Sequence, residues 1–316
     1  MTPREALRLL QGEIVQVVGC TEPAAIGYAL RTLARHLPQR PTPAAFRVEL
    51  RLSSDTFRNA STAVVPRLKT RGILAAAAAG LASRADGLNV FADFDLRRAR
   101  AFLKNPVWLK IVPVRRRGLF VHTQIPGLRT GVTLAGRHDR IEKLVVFGAD
   151  RTPREKPLPP PPTLADLFKL AHARDPQLEA LARDFLLRQV PAEKGFSPEI
   201  QLARRVAGRM AGYAHPVMTL TGSGNQGIFI GLPFRRLYAE QGEAILPAVV
   251  FALLAQVHLS AQHDRLSEKC GLATKAGPAL AAGLAFAAGA GPAEIRRIFR
   301  DFPARLADLT CEGAEP

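Results

Sequence analysis

Pro157-Leu158-Pro159-Pro160-Pro161-Pro162 divides the 316-residue chain into two stretches with different periodicities. Such a run holds φ near the polyproline II value and removes backbone donors, so neither a helix nor an inner strand can pass through it. The expected organisation is N-terminal helices and an α+β lobe over residues 1–156, a Pro-rich linker over 157–162, and an all-helical lobe over 163–316. The fold class read from this is α+β, with a largely antiparallel sheet in the N-terminal lobe followed by an all-α lobe.

Upstream of the proline run, Pro3 to Leu37 reads as two helical stretches broken at Gly19-Cys20. Ala44 to Leu52 alternates apolar Phe46, Val48, Leu50 and Leu52 with charged Arg47, Glu49 and Arg51, the pattern of a half-buried strand. Ile73 to Ser83 is a small-residue helix without charge before Ser83. Four strand-like runs follow, Trp108–Val114, Leu119–Ile125, Gly131–Leu134 and Lys143–Phe147, punctuated by Gly118, Gly127 and Gly136. Downstream, Thr163 caps a helix. The helical stretches that follow are Leu164–Ala173, Gln177–Gln189, Ser197–Tyr213, Glu240–Leu259, Asp264–Gly289 and Pro292–Leu309.

Apolar content of 47% is that of a globular protein. Three cysteines do not build a secreted disulfide framework, and no apolar stretch reads as a membrane span, so a cytoplasmic protein with no membrane partner is expected. The formal charge of +17 raises nucleic acid as a partner. The arginines, however, are spread along the whole chain, runs such as Arg115-Arg116-Arg117 are short, and aromatics are sparse for base stacking, so no nucleic-acid partner is expected.

Cys20-Thr21-Glu22-Pro23 has the form of a helix start, with Pro23 suited to the first turn. A thiol there faces the positive end of the helix dipole, which favours the thiolate that binds metal or attacks an electrophile. The alternative is a small buried hydrophobe. Gly222-Ser223-Gly224-Asn225-Gln226-Gly227 offers backbone N–H groups and neutral side-chain donors to an anion such as a carboxylate, or forms a plain turn between helices. It lacks the lysine of a nucleotide-binding P-loop and follows no strand. Cys270 lies in Arg265-Leu266-Ser267-Glu268-Lys269-Cys270 and leads into a small-residue helix face; Cys311 lies in Cys311-Glu312-Gly313-Ala314. The histidines show no zinc-like clustering with cysteine.

Taken together and in order, these motifs resemble the L-cysteine desulfidase family, which is related to the α-domain of iron–sulfur-dependent L-serine dehydratases. The resemblance rests on Gly19–Pro23, Gly222–Gly227, Arg265–Cys270 and Cys311–Ala314, with weaker matches at Arg58-Asn59 and at His138 after Gly136. It implies a 4Fe–4S cluster held by Cys20, Cys270 and Cys311, with one iron left open for substrate. It also implies substrate contacts from Gly222, Ser223, Gly224, Asn225, Gln226, Asn59 and His138. The implied reaction removes hydrogen sulfide or water from L-cysteine or L-serine to give pyruvate and ammonia; no general base is identified, and a homodimer is left open.

The chain departs from the family pattern in several places. Val206-Ala207-Gly208-Arg209-Met210 keeps Arg-Met but lacks the family's acid, Leu220 replaces an Asn, and Arg67-Leu68-Lys69 replaces a Gly-Thr-Gly turn. Family chains continue past the third cysteine, so this sequence reads as a C-terminally short member. A catalytically impaired relative that keeps the fold as a cluster-binding or sensing module is the alternative reading, and a basic nucleic-acid-binding protein a third.

Overall fold

The computed structural model describes residues 1–189, 197–263, 266, 269–306 and 309. In chain order the first half forms α1 (Pro3–Glu13), β1 (Gln16–Val18), α2 (Thr21–Arg35), β2 (Val48–Ser53), α3 (Ser54–Thr62), β3 (Val64–Val65), β4 (Thr70–Arg71) and α4 (Ile73–Ala82). It continues with α5 (Leu96–Lys104), β5 (Leu109–Val114), β6 (Phe120–Ile125), β7 (Thr130–Ala135), β8 (Ile141–Val146) and β9 (Ala149–Asp150). The second half forms α6 (Leu164–His172), α7 (Pro176–Arg188), α8 (Pro198–Met210), β10 (Pro216–Met218), α9 (Gly224–Gln241), α10 (Leu246–Gln262), α11 (Gly277–Ala287) and α12 (Pro292–Arg305). The class is α+β, with the sheet in the N-terminal half and helices following it.

The residues gather into two compact units that divide at Glu155/Lys156, beside the proline run, with two further exchanges between them. Helix α1 joins the helical unit, and Ala207–Pro216 joins the sheet unit. Leu10 explains the first exchange, because α1 turns its buried face, Ala6, Leu9 and Leu10, into the helical core. The proline run is likewise no free linker. Pro159 and Pro162 are buried, Leu158 lies against Gly12, and the Pro162 carbonyl meets His258 Nδ1 at 2.8 Å.

The sheet unit is built on six strands in the order β5-β2-β6-β7-β8-β9. All pairings are antiparallel except β2 with β5, which run parallel in the register Val48↔Leu109 to Ser53↔Val114. A parallel pair needs a crossover, and α3, the β3–β4 hairpin, α4 and α5 fill it. Helices α3 and α5 break no propensity rule, but their short lengths leave little periodicity to read. Trp108 closes the end of this core, fully buried, with its indole N–H donating to the Phe102 carbonyl at 2.9 Å.

The helical unit surrounds α10, where Leu246 to Ser260 is buried on nearly every side. A helix apolar all round is a core helix or a membrane span. The stretch Gly224–Gln262 is long and apolar enough to cross a membrane, which corrects the sequence reading; 78% of its most apolar window is buried inside the protein, as in a core helix. Nothing in the sequence points to helix α9, since Gly224, Gly227, Gly231 and Pro233 all lower helix propensity. Of the helix expected over Asp264–Gly289, Asp264, Arg265, Ser267 and Glu268 lie outside the described residues, Lys269 and Cys270 are not helical, and a π-helical turn over Leu272–Ala276 leads into α11.

Helices α2 and α4 meet at glycines. A Cβ at Gly80 would run into the backbone carbonyl and Cα of Gly27. Backbone cannot yield as a flexible side chain can, so Gly80→Ala should destabilise the fold by about 2–3 kcal/mol, read as a lowered urea midpoint with unchanged slope.

Candidate functional site

In the sheet unit, β1 is followed by Gly19, whose φ of +78° and contact with Pro66 admit no side chain. The turn delivers Cys20 to the N-cap of α2, where its carbonyl accepts the Ala24 N–H at 3.1 Å. The helix start is therefore as expected. The thiol's surroundings are not. Cys20 Sγ is buried and donates to Glu22 Oε2 at 3.1 Å. Burial pushes the thiol well above its ordinary pKa, the Glu22 charge pushes it further, and Arg209 offsets only part of this. The thiolate preference expected from the helix dipole is thus overturned: desolvation outweighs the helix end.

Glu22 collects the site. Oε2 also accepts the Thr21 hydroxyl at 3.1 Å, and Oε1 accepts Asn59 Nδ2 at 3.4 Å and faces His138 Nε2 at 3.6 Å. Burial would raise the carboxyl, but His138 and the Cys20 thiol outweigh it and hold Glu22 at about 2. Asn59 arrives on α3, whose N-cap Ser53 accepts the Thr56 N–H and donates to the Gly118 carbonyl at 2.6 Å. His138 arrives after β7 through Gly136, φ +73°, in a turn flanked by the Arg137–Asp139 ion pair at 2.9 Å. Asn59 Oδ1 and His138 Nδ1 are buried without a hydrogen-bond partner. Buried polar atoms are rarely left so, and two beside one carboxylate leave room in the chemistry for a polar guest.

Arg209 and Met210, in the last turn of α8, complete the group. Met210 packs with Cys20 and Ala63, and Arg209 is buried, its pKa lowered by desolvation against the opposing pull of the Glu22 charge. Neither Glu22 nor Arg209 stood among the site residues read from sequence. The signal was present in both cases, as the acid of Cys-Thr-Glu-Pro and as the Arg-Met pair retained where the flanking motif has diverged.

In the helical unit, Gly222–Gly227 opens α9. Thr221 and Gly222 take positive φ, and Ser223 is the N-cap, its hydroxyl accepting the Gln226 N–H at 3.3 Å. Gln226 Oε1 accepts from Gln256 Nε2, which also donates to Thr221 Oγ1 at 3.0 Å; Ser260 Oγ donates to Thr221 Oγ1 at 3.2 Å. Gly224 is buried and Asn225 half-buried at the first turn. Gln226 Nε2 lies so close to Gly271 that a Cβ there would collide with it, which sets the loop beside Cys270.

Cys270 is half-buried, and its carbonyl accepts the Ala273 and Thr274 N–H groups, so it too stands at a helical start. Its N–H donates to the Leu309 carbonyl at 3.0 Å. This bond ties the chain two residues before Cys311 to Cys270. Cys311 itself, with Arg265, Ser267 and Glu268 of the third motif, lies outside the described residues. Cys20 belongs to the sheet unit and Cys270 to the helical unit. Among the described residues no three His, Cys, Asp or Glu side chains form a metal-binding group. Asn59 and His138 both meet Glu22 in the sheet unit, and Gly222–Gln226 adjoin Cys270 in the helical unit.

The family model described as serine dehydratase alpha chain matches residues 167–316. A "UPF0597 protein" of Nitratidesulfovibrio vulgaris (strain DP4) is 29% identical, the match covering 96% of this chain and 83% of that protein. Proteins of the same name from Clostridium botulinum (strain Loch Maree / Type A3) and Thermosipho africanus (strain TCF52B) are 24% and 26% identical, covering 99% and 96% of this chain and 82% of each relative. No solved structure matches. The chain is related to the serine dehydratase alpha-chain family.

Glu22 gives up its proton more readily in the folded chain than in the unfolded one, so its charge stabilises the fold. With the folded value at about 2 against an ordinary 4.5, that contribution is whole above pH 4.5 and is lost as pH falls through 2. Glu22→Gln should lower stability by about 3 kcal/mol at pH 7, and urea midpoints of the two proteins should draw together as pH falls from 7 to 3.

Proposed function

We propose that this relative of the serine dehydratase alpha chains is an iron–sulfur-dependent lyase that removes water or hydrogen sulfide from L-serine or L-cysteine, releasing pyruvate and ammonia. The observation that supports it most is the Cys270 N–H bond to the Leu309 carbonyl. It brings the approach to the third cysteine beside the second, with Gln226 of the Gly-rich loop against the adjoining Gly271.

The donor set suits the group. Cys20 and Cys270 are free thiols at helix starts, the thiolate charge being favoured there once a metal replaces the proton. In this reading Cys20, Cys270 and Cys311 hold a 4Fe–4S cluster, which when bound supplies one open, Lewis-acidic iron. The first turn of α9 then receives the substrate carboxylate: helix-start N–H groups have no intrahelical acceptor, and an anion there is favoured by the dipole. Ser223 orders that turn as its cap, and Asn225 extends the donor set. Asn59 Oδ1 and His138 Nδ1 serve as the polar contacts for the amino group or the departing hydroxyl or thiol. Glu22 orients both, through Asn59 Nδ2 and the facing His138 ring. Arg209 balances the Glu22 charge, so that the pocket around Cys20 accepts a thiolate without a second uncompensated anion.

Anaerobic reconstitution with iron and sulfide should give a brown protein with absorbance near ~400 nm and about four irons per chain. Cys270→Ser should lose most of that absorbance. Pyruvate should appear from L-serine or L-cysteine, and Asn225→Ala should keep the cluster while raising KM about tenfold for the loss of one to two hydrogen bonds to a charged group. A cluster without pyruvate release would make the chain a non-catalytic cluster-binding relative; no cluster at all would remove the proposal.

A further inference from the structure

Away from Cys20, the sheet unit carries a cavity of about 340 Å³ lined by Arg31, Arg35, Arg40, Arg84 and Arg98, with Asp95 the one acid on its wall among the described residues. Arg31 and Arg35 come from the last turns of α2, Arg40 from the segment after it, Arg84 from the end of α4 and Arg98 from α5. Of the five, Arg35 is neutralised by Asp86 at 2.5 Å. Arg31, Arg40, Arg84 and Arg98 have no ion pair among the described residues. Asp95 is committed to capping α5, accepting the Arg98 N–H at 3.1 Å. Two guanidinium atoms, Arg31 Nε and Arg98 Nε, are buried with no hydrogen-bond partner.

Four unpaired cations converging on one concavity repel one another. Their effect is visible at Arg98, whose pKa is lowered first by burial and then by Arg40 and Arg31, against the opposing pull of Asp95. A folded chain holds such a cluster at a cost unless an anion belongs there. We propose that this cavity binds a small diphosphate-bearing anion, the planar guanidinium forks taking the phosphate oxygens in pairs. The surplus of cations over the single acid calls for at least two negative charges. The cavity has the size of a small-molecule site rather than a polymer track, and no described aromatic residue lines it to stack a base, so the recognised part is the phosphate group.

The test is calorimetric titration of the full chain with inorganic pyrophosphate, orthophosphate, ADP and a 20-nucleotide single strand of DNA. Pyrophosphate should bind about tenfold or more tightly than orthophosphate, and Arg31→Gln and Arg84→Gln should each weaken it about tenfold with unfolding temperatures unchanged. Arg98 is left intact because its Nη2 donates to the Pro41 carbonyl at 2.9 Å and so also holds the fold. Equal affinity for ADP and pyrophosphate would assign the whole site to the diphosphate; tighter ADP would add a nucleoside contact beside it, and both support the proposal. Absence of pyrophosphate binding, or affinity unchanged in both variants, would overturn it. So would DNA binding tighter than pyrophosphate through the same arginines, which would make the cavity part of a nucleic-acid surface.

Discussion

The buried carboxylate of Glu22 is the constraint that the sheet unit's site depends on. At 6% exposure an ionised side chain is tolerated only if opposite charge and hydrogen bonds replace its lost water. Those replacements come from four separate stretches of sequence: Cys20 and Thr21 in its own turn, Asn59 on α3, His138 after β7 and Arg209 at the end of α8. Each must arrive with an angstrom's accuracy. The devices that bring them are local and need few residues, a left-handed glycine at 19 and another at 136, and a serine cap at 53. Stability and site geometry are therefore one requirement here, since anything that misplaces a partner leaves the carboxylate buried and uncompensated.

The helical unit solves a related problem without charge. Helix α10 buries two polar side chains, Gln256 and Ser260, one turn apart, and these receive Thr221 and Gln226 from the start of α9. In an apolar core such a patch fixes register, because sliding α9 by a residue would strand buried amides. The consequence reaches function. Gln226 and the Ser223 hydroxyl are committed to structure, so what α9 can offer a ligand is first of all the backbone N–H groups of its first turn. The Gly-rich segment is both a turn and a helix start, the setting in which backbone N–H groups favour an anion.

Much of this was legible in the sequence wherever one local pattern decides the outcome. The alternation around Phe46–Leu52 pointed to β2, the glycine-punctuated runs to β5 through β8, and Cys-Thr-Glu-Pro to the start of α2. What was hidden depends on partners distant in sequence. The thiol's pKa at Cys20 is set by burial and Glu22, and neither can be read from a helix dipole alone. Helix α9 carries three glycines and a proline, and forms because its buried face packs against the core, so propensity pointed the wrong way. The proline run stands where the chain passes from the sheet unit to the helical unit, yet it is no free linker, because Leu158, Pro159 and Pro162 have apolar surfaces that the helical core takes up. Periodicity also cannot tell a core helix from a membrane span, and in α10 only burial does.

The positive charge shows the same limit from the other side. In the sequence the contiguous run Arg115-Arg116-Arg117 draws the eye, whereas Arg31, Arg40, Arg84 and Arg98 are scattered and look like background composition. Folding reverses their standing. The run sits in an exposed turn after β5, where Arg116 lies over the Phe120 ring at 4.5 Å and water screens the rest. The scattered four are gathered by the packing of α2, α4 and α5 around one concavity, where two Nε atoms lose their water altogether. Charge acts through local dielectric and spacing, and both are products of the fold. A net charge of +17 therefore says little about partners until the packing shows which few of its cations have been brought together.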